Sequence, residues 1–127
     1  MILPCEIGVK TVLPAVKAIM ARTIVEKHGY NEKQTADLLG LSQSAVSRYV
    51  GRERGHNLVA IEKAPDVLTL IDEMVFSLIK EPENRAKVLE IFCKTCTTIR
   101  QQGLMCPKCL TEMPPAWAEN CLFCRQP

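Results

Sequence analysis

The chain has 127 residues, a formal net charge of +2 and a hydrophobic fraction of 47%. This length allows one domain, or one small domain with an appendage, and the composition is sufficient for a packed core. The absence of any run of eighteen apolar residues excludes a membrane-spanning helix of ordinary length, and the N-terminal residues lack the features of a secretion signal. We therefore expect a cytoplasmic protein without a membrane partner.

The first predicted element covers residues 4–29 and is helical in two pieces, because Pro4 and Pro14 each suit the first turn of a helix. Apolar residues recur at helical spacing from Val12 to Ile24, which predicts a face directed towards the core. Gly29 is expected to end this element. We expect it to pack beneath the next two helices as the first helix of a compact bundle.

The clearest local pattern begins at Asn31 and reads as helix, tight turn and second helix. Asn31 and Gln34 have the spacing of a capping box, in which each side chain bonds the other residue's backbone. Gly40 stands where the end of the first helix needs a left-handed backbone conformation. Ser42 suits the N-cap of a second helix over residues 43–50. The predicted inward positions of that second helix are Ala45, Val46 and Tyr49.

The outward face of the second helix carries short hydrogen-bonding side chains and one arginine, as does a helix that lies in a DNA major groove. The charge distribution supports DNA binding by the N-terminal half of the chain. Residues 1–63 hold nine Lys or Arg against six Asp or Glu, whereas residues 64–127 hold seven against eight. The alternative is an ordinary helical hairpin in a core, although the outward face of a plain surface helix usually carries Glu and Lys pairs instead. The candidate base contacts are Gln43, Ser44, Ser47 and Arg48, and the candidate phosphate contacts are Arg52 and Arg54.

This stretch resembles the helix-turn-helix of the phage-repressor-like, or xenobiotic-response-element, family of transcription regulators. About twenty residues carry the resemblance, which implies binding to double-stranded DNA. The matching residues are Ala36, Leu39, Gly40, Leu41, Ser42, Val46, Ser47 and Tyr49.

Residues 66–80, which follow Pro65, are predicted to form a strongly apolar helix. Its apolar residues make one stripe that neighbouring positions broaden, so the face is wider than one short neighbour would cover. We interpret the face as partly a homodimer interface, and the alternative is that it packs wholly within its own subunit. The stripe holds Val67, Ile71, Met74 and Leu78, and it is broadened by Leu68, Val75 and Ile79.

A further helix is predicted over residues 83–102, ended by Gly103, and it leads into a tail rich in cysteine and proline. Three C-x-x-C pairs occur within 32 residues, and this spacing lets both thiolates of a pair reach one metal centre. The first pair shares one face of the helix with Ala86 and Leu89. The candidate ligands are Cys93, Cys96, Cys106, Cys109, Cys121 and Cys124, with Cys5 either a further ligand or a small buried residue.

Two kinds of metal centre fit the cysteine pattern. A structural zinc site would use the second and third pairs as in a zinc ribbon, which leaves Cys93 and Cys96 for another role. An iron–sulfur cluster would take four of the cysteines and would suit a regulator that senses redox state, oxygen or iron, although no ferredoxin-like cysteine run is present. We favour the cluster. A dithiol redox switch is the third interpretation.

Over its whole length the chain resembles a family of archaeal transcription regulators that join a helix-turn-helix to a cysteine-rich tail. The resemblance implies DNA binding coupled to a metal centre. The residues that carry it are Leu3-Pro4-Cys5-Glu6, Leu39-Gly40-Leu41-Ser42, Ile91-Phe92-Cys93-Lys94-Thr95-Cys96, Gly103-Leu104 with Cys106, and Cys121 to Cys124.

The sequence thus predicts an all-α protein with three parts: a helix-turn-helix DNA-binding domain (1–63), helical dimerisation segments (64–102) and a small irregular metal-binding tail (93–127). The expected function is DNA-binding transcription regulation by a homodimer whose activity depends on a cysteine-bound centre. The alternatives are a regulator or adaptor with purely structural zinc, and a small electron carrier or dithiol oxidoreductase. The sequence contains no Ser/His/Asp or paired-carboxylate arrangement typical of a hydrolase, so we do not expect an enzyme.

Overall fold

The computed structural model describes residues 4–51 and 61–104, apart from the side chains of 4–9 and 11. Five helices are defined in these two ranges, and neither range contains a strand. The described part of the protein is therefore all-α, as the sequence predicts. The helices are α1 (Pro4–His28), α2 (Glu32–Leu39), α3 (Gln43–Val50), α4 (Pro65–Lys80) and α5 (Arg85–Gln101).

Helix α1 is a single helix of 25 residues, so the prediction of two pieces was wrong. Pro14 lies inside the helix, where it lacks the N–H that would bond the carbonyl four residues earlier. A proline in a helix interior typically costs about 3 kcal/mol. Residues Ala15 and Val16 are nonetheless buried directly after it, and we attribute the continuity of the helix to this packing. Gly29 ends the helix at φ 71°, as predicted.

Helix α1 is the central helix of the fold. It contacts α2, α3 and α4, and every residue from Ala18 to Ile24 is buried. A stretch of helix that is buried on all sides is expected to be apolar around most of its circumference, and here only Arg22 and Thr23 are polar. The core around it is continuous and includes buried residues from α2 to α5. Helices α2 and α3 and the later helices therefore share one core.

Helices α4 and α5 form a hairpin and pack closely along each other. Pro65 occupies the first turn of α4. Helix α5 was predicted from residue 83 but begins at Arg85, because the side chain of Asn84 caps it by accepting a hydrogen bond from the backbone N–H of Lys87 at 3.3 Å. Gly103, at φ 71°, follows its end. The buried residues of α5 are Ile91, Thr95 and Ile99.

The apolar stripe of α4 is largely covered within the chain itself. Val67, Ile71 and Met74 are at most 1% exposed, and they join the core that α1 and α5 complete. Two large apolar side chains of this hairpin stay exposed: Phe76 by 54% and Leu89 by 61%. Packing within the subunit thus accounts for the buried part of the stripe, and the two exposed side chains are available to a protein interface.

Candidate nucleic-acid interface and cysteine pair

Helix α2 begins with the predicted capping box. The Asn31 side-chain oxygen accepts a hydrogen bond from the Gln34 backbone N–H at 2.7 Å, and the Gln34 side-chain oxygen accepts one from the Asn31 N–H at 3.0 Å. These two bonds satisfy amide groups that no helical carbonyl can reach. The start of α2 is therefore fixed by local sequence alone.

The turn between α2 and α3 is also fixed locally. Gly40 has φ 68°, and a Cβ added there would meet no atom within 4 Å, so backbone conformation rather than lack of space favours glycine. The Leu41 N–H bonds the Ala36 carbonyl at 2.9 Å and closes the turn. Ser42 caps α3 by accepting a hydrogen bond from the Ala45 N–H at 3.1 Å. The turn consequently sets the angle at which α3 leaves α2.

Helix α3 presents one buried face and one polar exposed face. Val46 is fully buried and Tyr49 is 6% exposed, and both pack in the common core. Because residues three and four apart share a face of a helix, these anchors direct the intervening residues outwards. The exposed residues are the four predicted base contacts, Gln43, Ser44, Ser47 and Arg48.

An open depression of about 560 Å³ lies over this exposed face. It brings together all four predicted base-contact residues and adds Glu32, the first residue of α2. Amide and hydroxyl groups can both donate to and accept from base edges, and a guanidinium can donate to them, whereas the carboxylate of Glu32 can only accept. The depression therefore combines hydrogen-bonding groups of the kind that contact base edges with the negative charge of Glu32, which the periodicity of α3 does not predict.

Arg22 of α1 was also overlooked, although it holds the other end of α3. Its side chain is 7% exposed, its Nε donates to the Tyr49 carbonyl at 2.7 Å, and its Nη1 contacts the Glu62 carboxylate at 2.8 Å. The last carbonyls of a helix lack helical partners and carry partial negative charge, so a cation there is stabilising. The available signal was a lone arginine within an apolar helical run.

Cys93 and Cys96 lie one helical turn apart on α5. Cys93 is exposed and Cys96 is half-buried, while the predicted face-sharing residues Ala86 and Leu89 are both exposed. Burial raises the pKa of the Cys96 thiol above its usual value, Cys93 raises it further, and Arg100 lowers it. Because residues three apart are neighbours on a helix, the two thiols lie on one partly exposed face of α5.

This cysteine pair fits half of a metal site. Two thiolates on neighbouring turns can bind one ion, and a tetrahedral centre needs two further ligands. Among residues 4–51 and 61–104 no group of three or more His, Cys, Asp or Glu side chains is suitably placed. The remaining ligands would come from elsewhere in the chain or from a second copy.

Several predicted site residues lie outside the described residues. They are Arg52 and Arg54 among the DNA contacts, and Cys106, Cys109, Cys121 and Cys124 among the metal ligands, together with the side chain of Cys5. Their roles stay predictions from the sequence.

Comparison with known proteins adds no relative. No family model matches the chain, and neither the curated proteins nor the solved structures give a match. The family resemblance drawn from the sequence therefore stays a prediction. Within the described residues, no helix has the length and apolar character needed to cross a membrane.

Proposed function

We propose that the protein is a DNA-binding transcription regulator and that α3 is its recognition helix. The observation that carries the proposal is the polar face of α3, where Gln43, Ser44, Ser47 and Arg48 are exposed around one depression. Caps at Asn31 and Ser42, together with a buried opposite face, hold this surface in a fixed orientation. Such preorganisation is what base recognition by a short helix in the major groove requires.

The first test is DNA binding by wild type and Arg48→Ala. DNA sequences that the wild-type protein binds should be selected from random duplexes. The affinity of each protein should then be measured for the selected sequence and for a scrambled version of it. We expect Arg48→Ala to weaken specific binding by about 1–3 kcal/mol, the range for one good base contact, and to weaken scrambled binding much less.

Arg85→Ala is the matched control for Arg48→Ala. Arg85 is an exposed arginine on a helix, but it begins α5 rather than lying at the depression. Its replacement should leave specific binding unchanged. Equal losses for Arg48→Ala on both DNAs would make Arg48 a phosphate contact, and failure to select any sequence would refute recognition.

The second part of the proposal is that a cysteine-bound centre controls DNA binding, with an iron–sulfur cluster favoured over zinc. Cys93 and Cys96 would supply two thiolates from α5. The centre would stabilise one arrangement of α5 and the tail, and allosteric coupling of this kind typically amounts to about 1–3 kcal/mol. If the regulator is a homodimer, a small shift would change the spacing of two recognition helices, which must match half-sites about 34 Å apart.

The identity of the centre can be tested on protein purified without oxygen. Iron, sulfide and zinc should be counted on the sample that gives the absorbance spectrum. A brown protein with matched iron and sulfide supports the cluster, and a colourless protein with one zinc per chain supports the structural alternative. Cys93→Ser should lower metal content and change DNA affinity, whereas unchanged affinity would reduce the centre to a structural element or favour the adaptor function.

A further inference from the structure

Arg22 connects three parts of the fold through one buried side chain. It lies on the central helix, its Nε bonds the carbonyl of Tyr49 near the end of α3, and its Nη1 bonds Glu62. Both distances are short, at 2.7 and 2.8 Å, and the partners are 27 and 40 residues away in sequence. A planar guanidinium can hold two acceptors at once in fixed directions, which a lysine ammonium does less well.

The Tyr49 contact bears directly on the orientation of α3. This helix has only eight residues, and its start is held by the Ser42 cap and the turn from α2. Its end is held by the buried ring of Tyr49 and by the Arg22 bond to that residue's carbonyl. Movement of the Arg22 guanidinium would therefore tilt or rotate the exposed face that carries Gln43 and Arg48.

Glu62 connects the same guanidinium to the C-terminal helices. It lies three residues before Pro65, the first residue of α4, and its neighbours Ile61 and Ala64 are buried in the core. The Ala64 N–H bonds the Ile61 carbonyl at 3.0 Å, and the Leu68 N–H of α4 bonds the Ala64 carbonyl at 3.1 Å. Glu62 therefore moves with the start of α4, which in turn packs along α5, the helix that carries Cys93 and Cys96.

We propose that Arg22 is a positioning residue that, with Glu62, transmits the position of the α4–α5 hairpin to the recognition helix. A displacement of α4 would move the Glu62 carboxylate, the guanidinium would follow its charged partner, and the Tyr49 carbonyl would move with it. This inference rests on the proposed function for its biological meaning, because it identifies how the state of α5 reaches the DNA-binding face.

The test compares Glu62→Ala with Asp72→Ala. Asp72 of α4 also pairs with α1, through Lys27 at 3.6 Å, but both of these side chains are more than half exposed, unlike the buried Arg22. Glu62→Gln is the conservative variant, since it keeps an acceptor oxygen at the same chain length while removing the charge. Arg22→Lys keeps the charge and loses the planar fork.

Hydrogen exchange is the first measurement, made on the full chain. We expect Glu62→Ala to raise exchange of the α3 amides several-fold while those of α1 and α4 stay near wild type, with Glu62→Gln in between. Arg22→Lys should resemble Glu62→Ala, and Asp72→Ala should resemble wild type. A purely structural role would raise exchange throughout the fold. That result, or no difference between Glu62→Ala and Asp72→Ala, would overturn the proposal.

DNA affinity is the second measurement, made on protein purified without oxygen before and after metal removal with a chelator. We expect the metal-dependent change in affinity to persist in Asp72→Ala and to fall towards zero in Glu62→Ala. An unchanged metal effect in Glu62→Ala would overturn the inference. If wild type binds no DNA, or binds it equally with and without metal, the proposed function fails instead, and the exchange data alone decide whether Arg22 positions α3.

Discussion

Among the residues that the structure describes, Glu32 supplies the one carboxylate that lines the depression over α3. It would accept a hydrogen bond from the amino group of cytosine, but it would repel any phosphate nearby. An exposed charge interaction is worth about 0.2–1 kcal/mol. We therefore expect Glu32→Gln to strengthen binding to random-sequence DNA by up to about fivefold at low salt, and less at high salt.

Fluorescence anisotropy with a labelled random duplex at two salt concentrations measures this effect. Glu73→Gln is the control, since Glu73 is an exposed glutamate of α4. Equal behaviour of the two variants would show that DNA does not approach Glu32.

The two cysteines of α5 should differ in reactivity once metal has been removed. Cys93 is exposed, whereas Cys96 is half-buried and the pKa of its thiol is raised, mainly by that burial. Thiolate is the reactive form, and a higher pKa leaves less of it at neutral pH. We expect iodoacetamide to modify Cys93 faster than Cys96, with the difference shrinking as the pH rises through the pKa of Cys96.

Peptide mass spectrometry after timed labelling gives both rates on the same sample. Faster labelling of Cys96 than of Cys93 at neutral pH would contradict the structure of this face of α5.

The sequence predicts a residue's role when that role depends only on its own helix. Gln43, Ser44, Ser47 and Arg48 follow from helical periodicity, because their outward direction is set by Val46 and Tyr49 on the same helix. Arg22 bonds residues on two other elements, and Glu32 of α2 lines the depression over α3. Periodicity gives no information about which elements meet.

The α2–α3 turn provides a prediction at the scale of the element. Gly40 has φ 68°, a conformation that costs a residue with a Cβ about 1–2 kcal/mol. We expect Gly40→Ala to lower the free energy of unfolding by this amount, although the added methyl group has open space.

Gly51→Ala is a well-matched control for Gly40→Ala. Gly51 follows α3 with φ −73°, which any residue adopts, so its replacement should cost little. Urea unfolding of the two variants and wild type compares these costs. A loss at Gly51 as large as at Gly40 would mean that the left-handed conformation is not the cause.

The ends of the helices were predictable where capping residues or glycines set them. Asn31 with Gln34, Gly40, Ser42 and Gly103 each act on neighbouring backbone, so the sequence identifies the ends of their helices to within one or two residues. The prediction that Pro14 begins a second helix was wrong. Proline favours the start of a helix, but burial of the surrounding residues keeps α1 continuous. Tertiary packing overrides local preference most readily in a central helix.

At the scale of the whole molecule, the sequence predicted an apolar face on α4 but not what covers it. Val67, Ile71 and Met74 are buried in the core of the same chain, in a helix that packs against α1 and α5. Amphipathic periodicity shows that a face of a helix must be buried. It does not distinguish burial against the same chain from burial against a second subunit. Only the arrangement of helices separates the covered stripe from the exposed Phe76 and Leu89.

If the protein is a homodimer, we expect Leu89 to contribute to the interface. It is 61% exposed in the single chain, and full burial of a leucine side chain is worth about 1.5–3 kcal/mol. A two-fold axis repeats the contact, so Leu89→Lys removes it twice and adds two charges. We expect a dimer dissociation constant raised about 100-fold or more, since each 1.4 kcal/mol is a factor of ten.

Sedimentation equilibrium over a concentration series measures the dimer dissociation constant. Lys87→Glu is the control, an exposed charge change two residues away that should leave the dimer intact. A dimer unaffected by Leu89→Lys would place the interface elsewhere, and a wild-type monomer would require DNA recognition through a single half-site.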